Sequence, residues 1–420
     1  MTQYSIRDKC HINTNYDTDT FVGIRCDKGN FSVNFPLGFC LPDNDKELRK
    51  DILLLINTIA STTRRRDSEV VRAAASFNDV GFPIQAYLYL INDYISRGYY
   101  RERENHYHVS VKGKINWGRT IKTQKPYVQD QKAYYLKFVT KENAVNESEI
   151  ISLIHEHCVY ESFLKMGWLF TAVLPKKPRI RFNKRLFLSV VREKLVQTYN
   201  DRNKALFRSI LAVINEEQRE DSPLDFRYGT YRFEYVWENL IDRVFGIEGK
   251  TVYFPKTMWL LDGKYNDNAC LEPDSIMLWN GNVYVLDAKY YKYGATKRPW
   301  DLPESTSINK QITYGEYISG PGKISDKLIN GKTPIVYNAF LMPYDRQSDL
   351  WKSGDSFLSI GEAISTWKSN EETYERIQGI LVDVKHLMKV TVLQDESEIS
   401  QLAACIEAAI EKRPAEWQIG

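Results

Sequence analysis

Two aspartates and a lysine in the C-terminal half have residue types and spacing suited to catalysis. They lie in the stretch LEPDSIMLWNGNVYVLDAKYYKY, residues 271–293, where strand-like runs at 275–279 and 283–287 flank Asn280-Gly281. Asn-Gly between such runs favours a two-residue type I′ turn. That turn pairs Trp279 with Asn282, and continuing the register places Asp274 opposite Asp287. Cross-strand partners have Cβ atoms about 5 Å apart. Lys289, two residues beyond Asp287, shares its face of the strand. Like charges directly opposite cost stability, more so beside Ile276, Val285 and Leu286. Two carboxylates so placed suit a hard divalent cation, Mg2+ above all, which offsets the repulsion, acidifies a coordinated water and clamps a phosphate oxygen. Lys289 would orient or help deprotonate that water, or stabilise developing charge. This is chemistry for metal-assisted phosphodiester hydrolysis. The competing reading is a surface hairpin with solvated charged ends, and a three-residue loop would break the register.

Pro273-Asp274 followed by Asp287-Ala288-Lys289 resembles the PD-(D/E)XK nuclease motif, with Asp at its variable acidic position. The resemblance implies a core of helix, antiparallel strands, helix and strand. The sequence supplies a helix over 231–245, a strand over 251–260, the hairpin, a helix over 306–318 and a strand over 334–342. It also implies that Asp274 and Asp287 bind Mg2+ together with the carbonyl of Ala288 and a glutamate of the first helix. Glu234 and Glu238 lie four apart on one face of RFEYVWENLID, and Glu234, in the Phe-Glu pair, is the first choice. Lys310-Gln311-Ile312-Thr313-Tyr314 resembles the Gln-containing helix of RecB-like and McrC-like branches, which implies that Gln311 positions substrate or metal-bound water.

GKINWGRTI and FEYVWE are similar to segments of the LlaJI-type restriction endonucleases, related to McrC. That similarity implies a restriction-modification setting, double-stranded DNA as substrate and a McrB-like GTPase partner. No Walker A motif is present: Gly331-Lys332-Thr333 has Asp326 at the first glycine position, and Gly320-Pro321-Gly322-Lys323 fails the spacing. Any nucleotide hydrolysis is therefore expected from another chain. One catalytic set per chain means that double-strand cleavage needs a homodimer or two sequential nicks. The rival readings are a non-catalytic DNA-binding or scaffold subunit with a nuclease-like core, and a transposition-associated nuclease.

Charge distribution adds a nucleic-acid signal. Over 176–208 eleven basic residues face only Glu193 and Asp201. The first six are Lys176, Lys177, Arg179, Arg181, Lys184 and Arg185, and they begin in a Pro-punctuated segment. The block reads equally as a polyanion-binding surface and as a solvated helix face. After the motif come Lys289-Tyr290-Tyr291-Lys292-Tyr293 and then Lys297, Arg298 and Trp300. Cations contact phosphates and rings stack on sugars or bases, so Lys292 and Arg298 are candidate backbone contacts. Residues 106–140 read as β structure with Gly113 and Gly118 as turns.

The remaining expectations concern organisation. At 420 residues the chain suggests two or three domains. Its 43% hydrophobic and 26% charged content excludes a disordered or collagen-like chain. The fold class is α/β (α+β overall). Residues 1–145 form a mixed N-terminal region for DNA recognition or partner docking, 146–222 a basic helical middle region, and 223–420 the nuclease domain, with Ser222-Pro223 as boundary. Strands over 21–26 and 31–39 flank a turn at 27–30, and helices follow over 46–59 and 84–95. Asn146 with Glu149 resembles a capping box for a helix to 170, and another helix spans 184–220. His155 and His157, two apart on that first helix, point about 200° apart and cannot share a metal through it. Six scattered cysteines without Cys-x-x-Cys exclude a disulfide framework and a zinc module, and read as reduced thiols in a cytoplasm. No apolar run is long enough to span a membrane, and the N-terminus has no secretory h-region.

Overall fold

A computed structural model describes residues 5–16, 18–64, 78–79, 82–130, 132–146, 149–171, 173–217, 225–267, 270–320, 333–390 and 394–412. The chain divides into two units, Met1–Gly81 with Phe226–Gly420, and Phe82–Asp225. The fold class is as expected, mixed α and β. The division differs from the three consecutive segments anticipated, because the first 81 residues fold with the C-terminal part. Ser222-Pro223 and the Gly-Lys pairs at 322–323 and 331–332 lie outside the described residues.

Backbone pairing explains the discontinuous unit. Val22–Asp27 pairs antiparallel with Asn30–Phe35 on one edge and with Phe226–Thr230 on the other. The first pairing closes on Lys28 and Gly29, both at positive φ, as the turn composition anticipated. The second is made close by two facing glycines, Gly23 and Gly229. A Cβ on Gly23 would lie 2.2 Å from the Tyr228 carbonyl oxygen, and one on Gly229 would lie 2.3 Å from that of Val22. Cys10–Ile12 and Asn78–Asp79 complete a five-stranded sheet.

The same unit contains a mixed sheet in the order Ser275–Trp279, Asn282–Ala288, Val336–Tyr344, Ile377–Asp383, Phe357–Ala363. The outer pairings are antiparallel and the inner two parallel. Val336–Tyr344 is buried at every position, as expected for a central strand covered on both faces. Val283 and Val285 pack with Tyr314 and Ile318 of the helix Ser305–Ser319. Tyr284, on the alternate face, donates to Glu407 of the helix Glu396–Glu411 at 2.6 Å. The helix Phe233–Phe245 buries Phe233, Val236, Trp237, Leu240 and Ile241, an i, i+3, i+4 stripe.

The expected helix, hairpin, helix, strand order is present, but the strand over 251–260 is not in this sheet. Lys250–Tyr253 is a 3-10 turn, Pro255 follows, and Met258–Leu261 pairs with Lys264–Asp267 as a separate hairpin. A proline lacks the donor a ladder needs.

The unit Phe82–Asp225 contains a three-stranded sheet of Glu102–Val109, Val139–Asn146 and Lys114–Ile115. Gly118 lies in a helix, Trp117–Thr123, and not in a turn, because Asn116 caps it by accepting from the Arg119 N–H at 3.0 Å. The Asn146/Glu149 capping box is not formed: Asn146 ends a strand, and the helix Ile150–Met166 starts after Glu149. The expected 184–220 helix is two, Lys184–Gln197 and Asp201–Glu216, broken where Asn200 caps the second. Among the described residues no helix is long and apolar enough to cross a membrane.

Gly23 sits at φ +145 against rigid backbone, so neither strain nor clash can relax cheaply. Gly23→Ala is expected to destabilise the fold by about 3 kcal/mol or more. Urea denaturation against the parent chain measures it, and an unchanged midpoint would contradict the close pairing.

Candidate active site

The Asn-Gly hairpin forms in the anticipated register. Trp279 pairs with Asn282 and Ser275 with Leu286. Asn280 at φ 48 and Gly281 at φ 82 have the positive φ values of a type I′ turn. The next position outward brings Asp274 to Asp287. Regular pairing stops at Ser275, and the Asp274 carboxylate closes the ladder by accepting from the Ala288 N–H at 2.8 Å. Lys289 Nζ lies 2.8 Å from Asp287 Oδ2.

The charges are strongly coupled. Burial, then repulsion from Asp287 and Glu238, holds the Asp274 carboxyl well above its usual range, although the Ala288 N–H opposes this. Burial also pushes Glu238 up, to about 7, helped by Asp287 and Glu234 and opposed by Lys289 and Arg232. For Lys289 burial disfavours the charge, but attraction to Asp287 and Asp274 outweighs it and its pKa is raised. Glu238 is thus the helix glutamate in the field of the aspartate pair. Glu234, the first choice from sequence, is ion-paired with Arg232. Both glutamates line a cleft of ≈ 470 Å³ with Ala288, Lys289, Tyr291 and Lys292.

Three carboxylates with one ammonium form a set of hard oxygen donors with excess negative charge. Burial first, and mutual repulsion among the carboxylates second, raise Asp274 and Glu238. Such a donor set fits Mg2+ and suits a soft metal poorly.

Side chains from two other elements, the 3-10 turn Lys250–Tyr253 and the helix Ser305–Ser319, hold the backbone beneath these groups. Lys250 Nζ donates to the Asp274 carbonyl at 2.6 Å and pairs with Asp242 at 2.8 Å. Tyr314 Oη donates to the Glu272 carbonyl at 2.9 Å. Gln311 Nε2 donates to the Val285 carbonyl at 2.8 Å. Gln311 is wholly buried and braces the strand two residues before Asp287, while its Oε1 has no hydrogen-bond partner among the described residues. Tyr314 was legible as Gln311's neighbour at i+3 on one helix face. Lys250, 24 residues from Asp274, carried no local signal.

Downstream, Tyr290 is buried against Phe233 and Trp237 and accepts from the Leu37 N–H at 2.7 Å. Its carbonyl accepts from Asn15 Nδ2 at 3.4 Å, and Asn15 also lines the cleft. Lys292 Nζ stands 3.7 Å from the centre of the Tyr16 ring. Arg298 is exposed near Trp300, itself 76% exposed at the cleft. In the other unit Lys176, Lys177, Arg179, Arg181 and Arg185 are exposed. Lys184 donates to the Asn215 carbonyl at 3.3 Å, while Lys194 and Arg202 are ion-paired with Glu149 and Asp93.

The sequence model of the LlaJI restriction endonucleases matches residues 21–362. A Bacillus subtilis (strain 168) protein described as type II restriction enzyme BsuMI component YdjA is 29% identical over 298 residues, 66% of this chain and 62% of that protein. The chain therefore spans less than two thirds of that relative's length. Among solved structures, one chain of a half-complex from the tetradecameric assembly of Thermococcus gammatolerans McrB AAA+ hexamers with bound McrC is 14% identical. The overlap covers 89% of this chain and 82% of that one at a TM-score of 0.32, too loose to fix fold or partner.

The raised Glu238 has a stability consequence. The unfolded chain releases this proton near the ordinary 4.5 and the folded chain near 7. Between those values the folded state binds more protons, so stability from this group is full below 4.5 and falls as pH rises. Metal-free protein should lose on the order of 2 kcal/mol across that window through Glu238. Glu238→Gln should flatten that slope in urea titrations in EDTA; an unchanged slope would remove Glu238 from the shared field.

Proposed function

The chain belongs to the LlaJI restriction endonuclease family, and on that footing we propose that it is a Mg2+-dependent endonuclease cutting double-stranded DNA in a restriction system. The observation that carries this reading is the meeting of Asp274, Asp287, Glu238 and Lys289 at the end of one hairpin, their charges coupled. Asp274, Asp287 and Glu238 would hold the cation, with the Ala288 carbonyl as a further oxygen. When bound, the ion supplies an acidified water and a clamp on a phosphate oxygen. Lys289 orients that water or stabilises charge developing on the phosphate. Gln311, Lys250 and Tyr314 keep the carrying strands in place through their backbone carbonyls.

Lys292 and Arg298 contact the DNA backbone, and Trp300 offers a ring at the cleft. In the other unit the exposed run from Lys176 to Arg185 binds DNA phosphates through its cations. A McrB-like GTPase subunit is the proposed partner. The family resemblance supports it, as does the description of the Bacillus subtilis relative as one component of its enzyme. A cytoplasmic location follows from DNA as substrate. Two copies, or two successive nicks, complete a double-strand cut.

Plasmid cleavage with Mg2+, with and without GTP and partner, tests the proposal. Asp274→Ala and Lys289→Ala should each reduce cleavage on the order of 10³-fold or more. DNA affinity should stay within about threefold, since phosphate contacts elsewhere position the duplex. Full activity in purified Asp274→Ala protein would defeat the assignment. DNA binding without cleavage by the parent chain under all conditions would favour a scaffold subunit.

A further inference from the structure

We propose that His157, Glu161 and Glu217 form a second metal site, for a borderline dication of the Zn2+ or Mn2+ class, in the unit Phe82–Asp225. The ion would clip the helix Ile150–Met166 to the C-terminal end of the helix Asp201–Glu216. His155 plays no part, since its Nδ1 accepts from the Tyr100 N–H at 2.9 Å. His157 finds its partner four residues on, where side chains of a helix stack on one face. Glu217 is the C-cap residue of the second helix. One donor atom from each of the three lies within 4.8 Å of the others.

An ordinary hydrogen-bonded pair does not account for this cluster. His157 is 7% exposed, and its Nε2 lies 2.8 Å from Glu217 Oε1. The other Glu217 oxygen is buried and has no hydrogen-bond partner among the described residues. A buried carboxylate oxygen without a donor is costly, and the negative end of the helix macrodipole at the C-cap adds to that cost. A second carboxylate, Glu161, faces the first. Burial and then Glu217 raise its pKa, against the pull of His157 and Lys165. Lys165 Nζ sits 5.4 and 5.5 Å from the ring centres of Phe82 and Tyr87. One cation shared by the three donors would satisfy both the orphaned oxygen and the repulsion.

The donor types choose the ion. An imidazole with two carboxylates suits Zn2+ or Mn2+, unlike the all-oxygen set of the cleft. The imidazole is also held in orientation, stacked on Phe182 at 5.5 Å and set edgewise to Phe187. Three protein ligands leave a position for water, as in an open zinc site.

The test uses the full chain carrying Asp274→Asn and Asp287→Asn, which disables the cleft. Zn2+ and Mn2+ are titrated by calorimetry, and metal content and melting temperature are measured alongside. The expected result is about one equivalent of Zn2+ or Mn2+ per chain and a melting temperature raised by several degrees. Adding Glu161→Gln, nearly isosteric, should weaken binding on the order of tenfold or more and abolish the rise, while leaving metal-free melting unchanged or higher. His157→Ala should lose the equivalent as well; if it does not fold, Glu161→Gln decides. Undiminished binding in Glu161→Gln, or no binding of either ion, would overturn the site. Because the readout is metal in the other unit, it is independent of whether the cleft cuts DNA.

Discussion

Two carboxylates forced together at the end of a hairpin set the terms for the whole cleft. The Asn280-Gly281 turn admits one register, and that register leaves Asp274 and Asp287 nowhere to separate. The strands behind them are apolar and buried, so water cannot dilute the repulsion. Burial, and after it the repulsion, holds Glu238 and Asp274 high, while attraction to the aspartates raises Lys289. As a stabilising device the arrangement would be poor, since buried like charges cost more than apolar residues of the same size. On the proposed function, a cation would complete it.

Such repulsion is useful only if the backbone cannot yield to it. Lys250 from one element, and Tyr314 and Gln311 from one helix, reach carbonyls at positions 274, 272 and 285. Trp237 Nε1 holds the Leu341 carbonyl, which also accepts from the Lys289 N–H at 2.9 Å. Each bond grips main chain and none of them engages the Asp274, Asp287 or Lys289 side chain. This division between gripping and reacting groups is what a preorganised site requires. Gln311 belongs to the gripping groups through its bond to the Val285 carbonyl.

The Asp274/Asp287 hairpin was legible because its information is local. A dipeptide dictates the turn, the turn dictates the register, and the register dictates which residues meet. The helices over 231–245 and 306–318 were legible for a similar reason, since an apolar stripe repeats every turn. The choice between Glu234 and Glu238 was not local. It depended on Arg232 turning back onto Glu234 and on Asp287 arriving from fifty residues away. The misplaced strand over 251–260 shows the opposite failure. Its apolar residues suit a strand, but Pro255 and the 3-10 turn before it remove it from the main sheet. Lys250 and Asn15 were invisible because nothing near them in sequence marks their destination.

The unit Met1–Gly81 with Phe226–Gly420 is discontinuous, and this bears on how the cleft is built. Val22–Asp27 and Phe226–Thr230 are neighbours in one sheet, yet about two hundred residues separate them in sequence. The facing glycines allow that contact and almost no other side chain would. Once the sheet forms, Leu37 and Asn15 are delivered to Tyr290, the residue after Lys289. The loop beyond the strand Asn282–Ala288 is therefore held by Asn15 and Leu37. The intervening residues 82–225 fold as their own unit between two strands that must still meet. The cleft is thus held by a unit whose two chain segments meet through long-range strand pairing.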